Sequence, residues 1–144
     1  MDLEIKYKDG QGHMLIHMDA FFPTSQVRFK KLLKIIQMDF YHRDELKEVL
    51  EKYFIEKINE LEETRIRVGK KHLDYKQKFA DQERLVDSGK FPNGVMLTRE
   101  QYIQAKEDLK QYKKIVTSTL SEFKRTVRQK EQFTKHLEIL KEGK

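Results

Sequence analysis

The chain has 144 residues, two prolines, no cysteine and a formal net charge of +6. This length fits one domain with an appendage, and the absence of cysteine excludes a disulfide scaffold and cysteine-based zinc sites. Charged residues make up 38% of the chain, against roughly 25% in typical globular domains, so long helices with little interior are favoured. No apolar run reaches the ~20 residues of a membrane span, and no signal pattern opens the chain, so we expect a cytoplasmic protein.

The first eighteen residues have the pattern of a β-hairpin. Leu3 and Ile5 alternate with charged residues, as in a half-buried strand. Asp9-Gly10 fits a two-residue turn that pairs Ile5 with Met14 and Leu3 with Ile16. Gln11-Gly12 makes a longer loop equally possible, and a four-residue loop would pair Ile5 with Ile16. Both registers place the same side chains inward. Since an isolated hairpin is marginally stable in water, we expect it to lie on an apolar support.

A short helix follows and supplies this support. Pro23-Thr24-Ser25 is a helix-start signal, and apolar residues then recur at helical spacing at Phe29, Leu32, Leu33, Ile36 and Phe40. We predict a helix from about Ser25 to Gln37 that packs beneath the hairpin. Residues 1–42 would thus form a ββα head.

The rest of the chain reads as two long helices. Between Arg43 and Val86 there is no proline, and one seam follows heptad spacing. Its members are Phe54, Ile58, Leu61, Arg65, Val68, His72, Tyr75, Phe79, Gln82 and Val86. Thr98 and Gln101 have the spacing of a capping box that starts a second helix. Its seam comprises Tyr102, Ala105, Leu109, Tyr112, Val116, Leu120, Phe123, Val127, Lys130, Phe133, Leu137 and Leu140.

Turn residues at 87–97 predict that these helices fold back on one another. Pro92-Asn93-Gly94 is strong turn chemistry. We therefore predict an α+β, predominantly helical fold, in which a long antiparallel helical hairpin, a coiled coil, covers residues 43–144. A reversal near Pro92 would place His72 opposite about Tyr112 and Val68 opposite about Val116.

Two seam residues, Arg65 and His72, are polar and need partners if buried. Either they set the register of the two helices, as polar seam residues do, or they lie where the helices splay. A third interpretation is a notch that accepts an acidic group of a partner. Gly69 lies between them and marks a kink or a close backbone approach.

The middle of the hairpin is strongly basic. Residues 64–78 carry six cations and one carboxylate, and residues 106–114 carry four cations and two carboxylates. Such a field attracts nucleic acid or an acidic protein surface, although a solvated coiled-coil face is the alternative. The candidate binding residues are Arg65, Arg67, Lys70, Lys71, Lys110, Lys113 and Lys114. Lys90 and Phe91 at the turn are candidates for a tip contact, unless Phe91 folds back over Phe79 or Tyr102.

The segment Leu15–Phe22 resembles the first strand and turn of Y-family DNA polymerases, which read approximately I-H-x-D-M-D-x-F-F. In that family the early Asp holds catalytic magnesium, and here His17 occupies its position, two residues before Asp19. The match covers about eight of 144 residues, no second acidic motif of that family occurs, and the chain is too short for its three subdomains. The sequence therefore does not predict a polymerase.

No other segment points to catalysis. The chain has no phosphate-binding glycine motif, and its carboxylate pairs fall on helix surfaces without the burial that tunes a pKa. We expect no enzyme activity, no metal and no cofactor. The leading hypothesis is a non-enzymatic protein that docks sterically on a nucleic acid or nucleoprotein complex, in the style of phage or mobile-element inhibitors of guided nucleases. The alternative is a structural adaptor or a homodimeric coiled-coil module.

Overall fold

The computed structural model describes residues 2–6, 13–39 and 43–142. Six elements follow in order: β1 (Asp2–Lys6), β2 (His13–His17), α1 (Met18–Phe21), α2 (Gln26–Asp39), α3 (Arg43–Ser88) and α4 (Arg99–Glu142). The predicted mostly helical fold, with a small N-terminal sheet and a long helical hairpin, is confirmed. Within the described ranges, no helix has both the length and the apolar character that a membrane crossing requires.

The two strands pair antiparallel in the register of the two-residue turn. Leu3 pairs with Ile16 and Ile5 pairs with Met14, which is one of the two registers that the sequence left open, and the turn itself lies outside the described residues. Leu3 and Ile16 are buried on the same face of the sheet. The predicted helix of the head is α2, and Phe40, which was assigned to its apolar stripe, also lies outside the described residues.

The start of α4 has the predicted capping box. The Gln101 N–H donates to Thr98 Oγ1 at 3.2 Å, and the Thr98 N–H donates to Gln101 Oε1 at 2.9 Å. The two side chains thus satisfy backbone donors that the first turn of a helix leaves unpaired.

The chain divides into two compact units, Met1–Glu62 with Val127–Lys144, and Glu63–Thr126. Both α3 and α4 contribute residues to each unit. We refer to them as the head unit and the mid-hairpin unit. The division of the chain at residue 42 stays a prediction from the sequence.

The core of the head unit is a cluster of aromatic rings around His136. This imidazole is only 1% exposed. Its ring centroid lies 4.8 Å from that of Phe29, 5.7 Å from that of Phe54 and 5.8 Å from that of Phe22. α4 thereby contributes a polar ring to the centre of an otherwise apolar core.

The His136 imidazole is held in its neutral form. Nε2 accepts a hydrogen bond from the Thr24 N–H at 3.2 Å, so it must carry a lone pair, and the ring proton lies on Nδ1. Among the described residues, no group is within hydrogen-bond distance of this buried Nδ1. Burial disfavours the charged imidazolium and lowers the pKa of His136 below its ordinary 6.5.

A second polar contact in the head unit joins α1 to α3. The Tyr53 hydroxyl donates to Asp19 Oδ1 at 2.7 Å, and Lys57 Nζ lies 3.3 Å from the same oxygen. The hydrogen bond from Tyr53, followed by that from Lys57, lowers the pKa of Asp19 to about 2. Burial, with the Asp19 carboxylate as the second cause, raises the pKa of Tyr53.

We predict that His136 makes the protein less stable in mild acid. Below about pH 6.5 the unfolded imidazole binds a proton that the folded one does not, so the free energy of unfolding falls as the pH falls, with a limiting slope of about 1.4 kcal/mol per pH unit. Urea unfolding at about pH 7.5 and about pH 5 measures this difference. Asp19 contributes to the pH dependence of stability in a separate, more acidic range, because its pKa is lowered from the ordinary 3.8 to about 2.

The variant His136→Gln removes the titration and retains an oxygen that can accept from the Thr24 N–H. We expect it to flatten the pH dependence, whereas the matched variant of the exposed His17, H17Q, should retain it. Equal pH dependence in the original protein and in H136Q would contradict this assignment.

Candidate functional site

The mid-hairpin unit contains most of the predicted binding residues, and its two helices run antiparallel. The rings of Tyr75 and Tyr112 lie 6.1 Å apart between their centroids, and Gln82 Nε2 donates to the Ala105 carbonyl at 2.9 Å. Each of the ten predicted seam residues of α3 is buried or half-buried. This burial is what a seam would show, and the rings of Tyr75 and Tyr112 meet between α3 and α4, whereas the coiled coil itself stays a prediction.

A hydrogen bond across the seam links His72 Nδ1 to Thr119 Oγ1 at 2.9 Å. The Thr119 hydroxyl donates to the Ile115 carbonyl at 2.8 Å, so its oxygen accepts the proton of His72 Nδ1. The predicted pairing of His72 with Tyr112 is wrong. Because α4 begins only at Arg99, the residues opposite α3 lie further along the chain than a reversal at Pro92 would place them.

The α4 seam also differs from the prediction at one position. Leu120 is 39% exposed, whereas Thr119 is 2% exposed and Thr126 is buried. Strict seven-residue spacing from Ala105 leads to these two threonines. Their hydroxyls bond to carbonyls of their own helix, with Thr126 donating to Glu122 at 2.8 Å, so they can be buried without an unpaired polar group. The hydrophobic pattern instead favoured the neighbouring leucine.

The outward position of Leu120 creates an apolar groove between α3 and α4. The groove has a volume of about 450 Å³ and is lined by Arg65, Ile66, Gly69, Lys70, His72, Leu73, Leu120 and Phe123. Ile66 is 46% exposed and Leu73 is 64% exposed. Two cations and no carboxylate line this groove. We call these eight residues the apolar groove; the sequence analysis did not identify it.

Gly69 forms the floor of the apolar groove. A Cβ atom at this position would lie 3.4 Å from the Phe123 ring, which is ordinary van der Waals contact. The neighbouring atoms belong to a side chain, so the predicted close approach of the backbones is not observed at Gly69. There is room for an alanine, so the glycine meets no steric requirement here.

The structure distributes the predicted basic residues over several surfaces of the mid-hairpin unit. Arg65 and Lys70 line the apolar groove, and a second groove of about 450 Å³ is lined by Lys110, Lys113, Lys114, Thr117 and Ser118. Arg67 and Lys71 are exposed and line neither groove. Helical spacing puts both on the other side of Val68 from Gly69.

The exposed cations of this set form no ion pairs with carboxylates of the described residues. Within the part of the chain that the structure describes, no ion pair involves Arg67, Lys70, Lys71, Lys110, Lys113 or Lys114. Their charges are therefore directed to solvent rather than to a structural partner. A helix surface that is only solvated would expose the same residues, and a binding experiment distinguishes the two interpretations.

The turn between the helices is ordered by backbone contacts. The Phe91 N–H donates to the Val95 carbonyl at 2.8 Å, and Gly94 has a φ of 87° that suits glycine. Phe91 is half-buried and lies beside Leu85 and Pro92 in a cleft of about 650 Å³.

The predicted tip residue Lys90 is exposed, and Lys90 and Phe91 stay candidates for a contact. Among the described rings, Phe91 makes no contact with Phe79 or Tyr102, so the predicted capping of the seam by Phe91 is not observed. The neighbouring Val95 and Met96 are exposed apolar residues that the sequence analysis did not single out.

The described residues contain no group of three or more potential ligands among His, Cys, Asp and Glu that could hold a metal ion. Comparisons of the chain with models of protein families, with curated proteins and with solved structures give no match. The functional argument therefore rests on the surfaces of the mid-hairpin unit.

We predict that Gly69→Ala stabilises the protein. Alanine is favoured over glycine inside a helix by about 1 kcal/mol, and the added methyl group gains contact with Phe123. Urea unfolding should therefore show an increase of about 1 kcal/mol in the free energy of unfolding. The matched variant Gly94→Ala should destabilise, because its φ of 87° is strained for alanine. A loss of stability in G69A would show that the two helices lie closer together than the structure places them.

Proposed function

We propose that this protein is a non-enzymatic binding protein that docks on a nucleic acid or a nucleoprotein complex through the basic residues of the mid-hairpin unit. The observation that carries the proposal is a set of exposed cations that form no ion pair with any described residue: Arg67, Lys70, Lys71, Lys110, Lys113 and Lys114. Arg65 adds a half-buried charge. When such lysines and arginines bind the phosphate groups of a nucleic acid, the counterions condensed on the nucleic acid are released.

The proposed mechanism is steric. The mid-hairpin unit presents cations on more than one side, and this suits a groove or channel with anionic walls better than a flat surface. In this proposal the seam is a coiled coil that carries the cations, and the tip at Lys90 and Phe91 makes a further contact. A cytoplasmic accessory or inhibitor protein of phage or mobile-element type, for example an inhibitor of a guided nuclease, would act in this way.

A second candidate is a structural adaptor, with or without homodimerisation. The exposed apolar residues Ile66, Leu73 and Leu120 favour it, because contiguous exposed apolar surface commonly marks protein interaction sites. An acidic protein surface would also satisfy the cations. These candidates differ in their dependence on salt, since apolar contacts are far less sensitive to ionic strength than phosphate contacts.

We predict that reversing four charges abolishes most nucleic-acid binding. The variant K70E/K71E/K113E/K114E should reduce the affinity for duplex DNA or RNA. It should also reduce the magnitude of the negative slope of log K against log salt by about 3 to 4, since each phosphate contact contributes about 0.9 to that magnitude. Fluorescence anisotropy between about 50 mM and about 200 mM salt measures both effects.

The matched control reverses four exposed lysines of the head unit, K30E/K31E/K34E/K52E, and changes the net charge by the same amount. We expect this control to retain more of the affinity and of the slope than the mid-hairpin variant. Equal losses in both variants would mean that only net charge matters, and binding that survives in the mid-hairpin variant would contradict the proposal.

A further inference from the structure

We infer that the apolar groove binds an acidic amphipathic helix of a partner protein. This inference goes beyond the proposed function, because it concerns a different surface and a protein ligand. It rests on the apolar lining of the groove, on its dimensions and on the sign of the charges around it.

The lining points to apolar side chains as the ligand groups. Ile66, Leu73 and Leu120 are exposed, and they converge from two helices on one groove. Covering them removes hydrocarbon from water, which contributes about 25 cal/mol per Å² of apolar surface. Their exposure has no structural purpose within the described part of the chain, since the seam beside them is already filled by His72 and Thr119.

The dimensions suit a short helix. Ile66 and Leu73 are two turns apart on α3, or about 10 Å at 1.5 Å per residue. A partner helix that lies in the groove would place apolar anchors at positions i, i+3 or i+4, and i+7, the pattern of helix-in-groove recognition.

The charges specify an acidic helix. Arg65 and Lys70 line the groove together with the apolar residues, and no carboxylate does. Lys113, on the same helix as Leu120, is exposed and without an ion pair among the described residues. Carboxylates that flank the apolar anchors of a partner would meet these cations.

The charges of the groove disfavour a second copy of the chain as the occupant, and its aliphatic lining disfavours a nucleic acid. A second copy that docked groove to groove would bring its own Arg65 and Lys70 against those of the first, and like charges at an interface are unfavourable. The unpaired bases of a single-stranded nucleic acid would need exposed aromatic rings on which to stack. The groove has aliphatic walls, and its one aromatic ring, Phe123, is half-buried over Gly69.

The test is a selection of helical peptides. A display library of random peptides of about sixteen residues is selected on the full chain and counter-selected on the variant L73Q/L120Q. We expect the enriched peptides to be net negative and to carry apolar residues at the i, i+3 or i+4, i+7 spacing. Fluorescence anisotropy of one enriched peptide then gives its Kd for the original protein.

Single variants locate the binding site. L73Q and L120Q should each weaken the selected peptide about tenfold, since each removes a central apolar contact. The control I103Q alters another exposed apolar residue of the mid-hairpin unit that does not line the groove, and it should leave the Kd within about twofold. All three sites are exposed, and unfolding curves verify that the variants fold.

Four results would overturn the inference. In the first, the selection enriches no peptide over the counter-selection, and in the second it enriches basic or aperiodic peptides. In the third, L73Q and L120Q leave the Kd unchanged. In the fourth, the full chain forms a dimer that L120Q abolishes. Displacement of the peptide by a poly-dT oligonucleotide, together with weaker DNA binding in L120Q, would assign the groove to nucleic acid and also overturn it. The charge-reversal variants are titrated with DNA in parallel, so failure of the proposed function is seen separately from failure of the groove.

Discussion

The hydrogen bond between His72 and Thr119 places a directional constraint on how α3 and α4 meet in the mid-hairpin unit. An imidazole and a hydroxyl between two helices are tolerated only when both find partners, because an unsatisfied buried polar group costs about 1 to 3 kcal/mol. Sliding α4 along α3 by one turn would break this bond and remove the partner of His72 Nδ1, whereas the Thr119 hydroxyl would keep its bond to the Ile115 carbonyl. The pair therefore selects one register from the several that heptad packing alone would permit.

The outward face of the hairpin follows from this register. With Thr119 against α3, the next residue, Leu120, must point away from the seam and towards solvent. It then lies beside Phe123 and above Gly69, and the apolar groove results. The groove thus results because the polar Thr119, rather than the adjacent Leu120, lies in the seam.

The local signals in the sequence predicted most of the fold. Alternation and turn residues gave the hairpin of β1 and β2, with its register left open between two choices, and the Thr98 and Gln101 pair gave the start of α4. Helical periodicity gave the long helices α3 and α4. Each of these rests on interactions between residues that are near in the chain or on a repeating pattern. Such signals carry most of the information that a single sequence offers.

The failures have a common physical cause. The burial of Thr119 in place of Leu120 depends on a hydrogen bond to His72, 47 residues earlier in the chain. A hydrophobic pattern carries no information about that bond. The burial of His136 depends in the same way on Thr24 and on aromatic rings far away in the chain. Of the candidate site, the basic residues could be counted from the sequence, but their distribution over several surfaces and the groove beside them could not.

Thiol reactivity at positions 119 and 120 tests this account most directly. Because the chain contains no cysteine, the variants Thr119→Cys and Leu120→Cys each carry a single thiol, whose reaction with an alkylating reagent reports its access to solvent. The account predicts rapid alkylation at position 120 and strong protection at position 119 under native conditions, with equal rates after unfolding. Protection of the thiol at position 120 and free reaction at position 119 would place Leu120 in the seam and remove the groove.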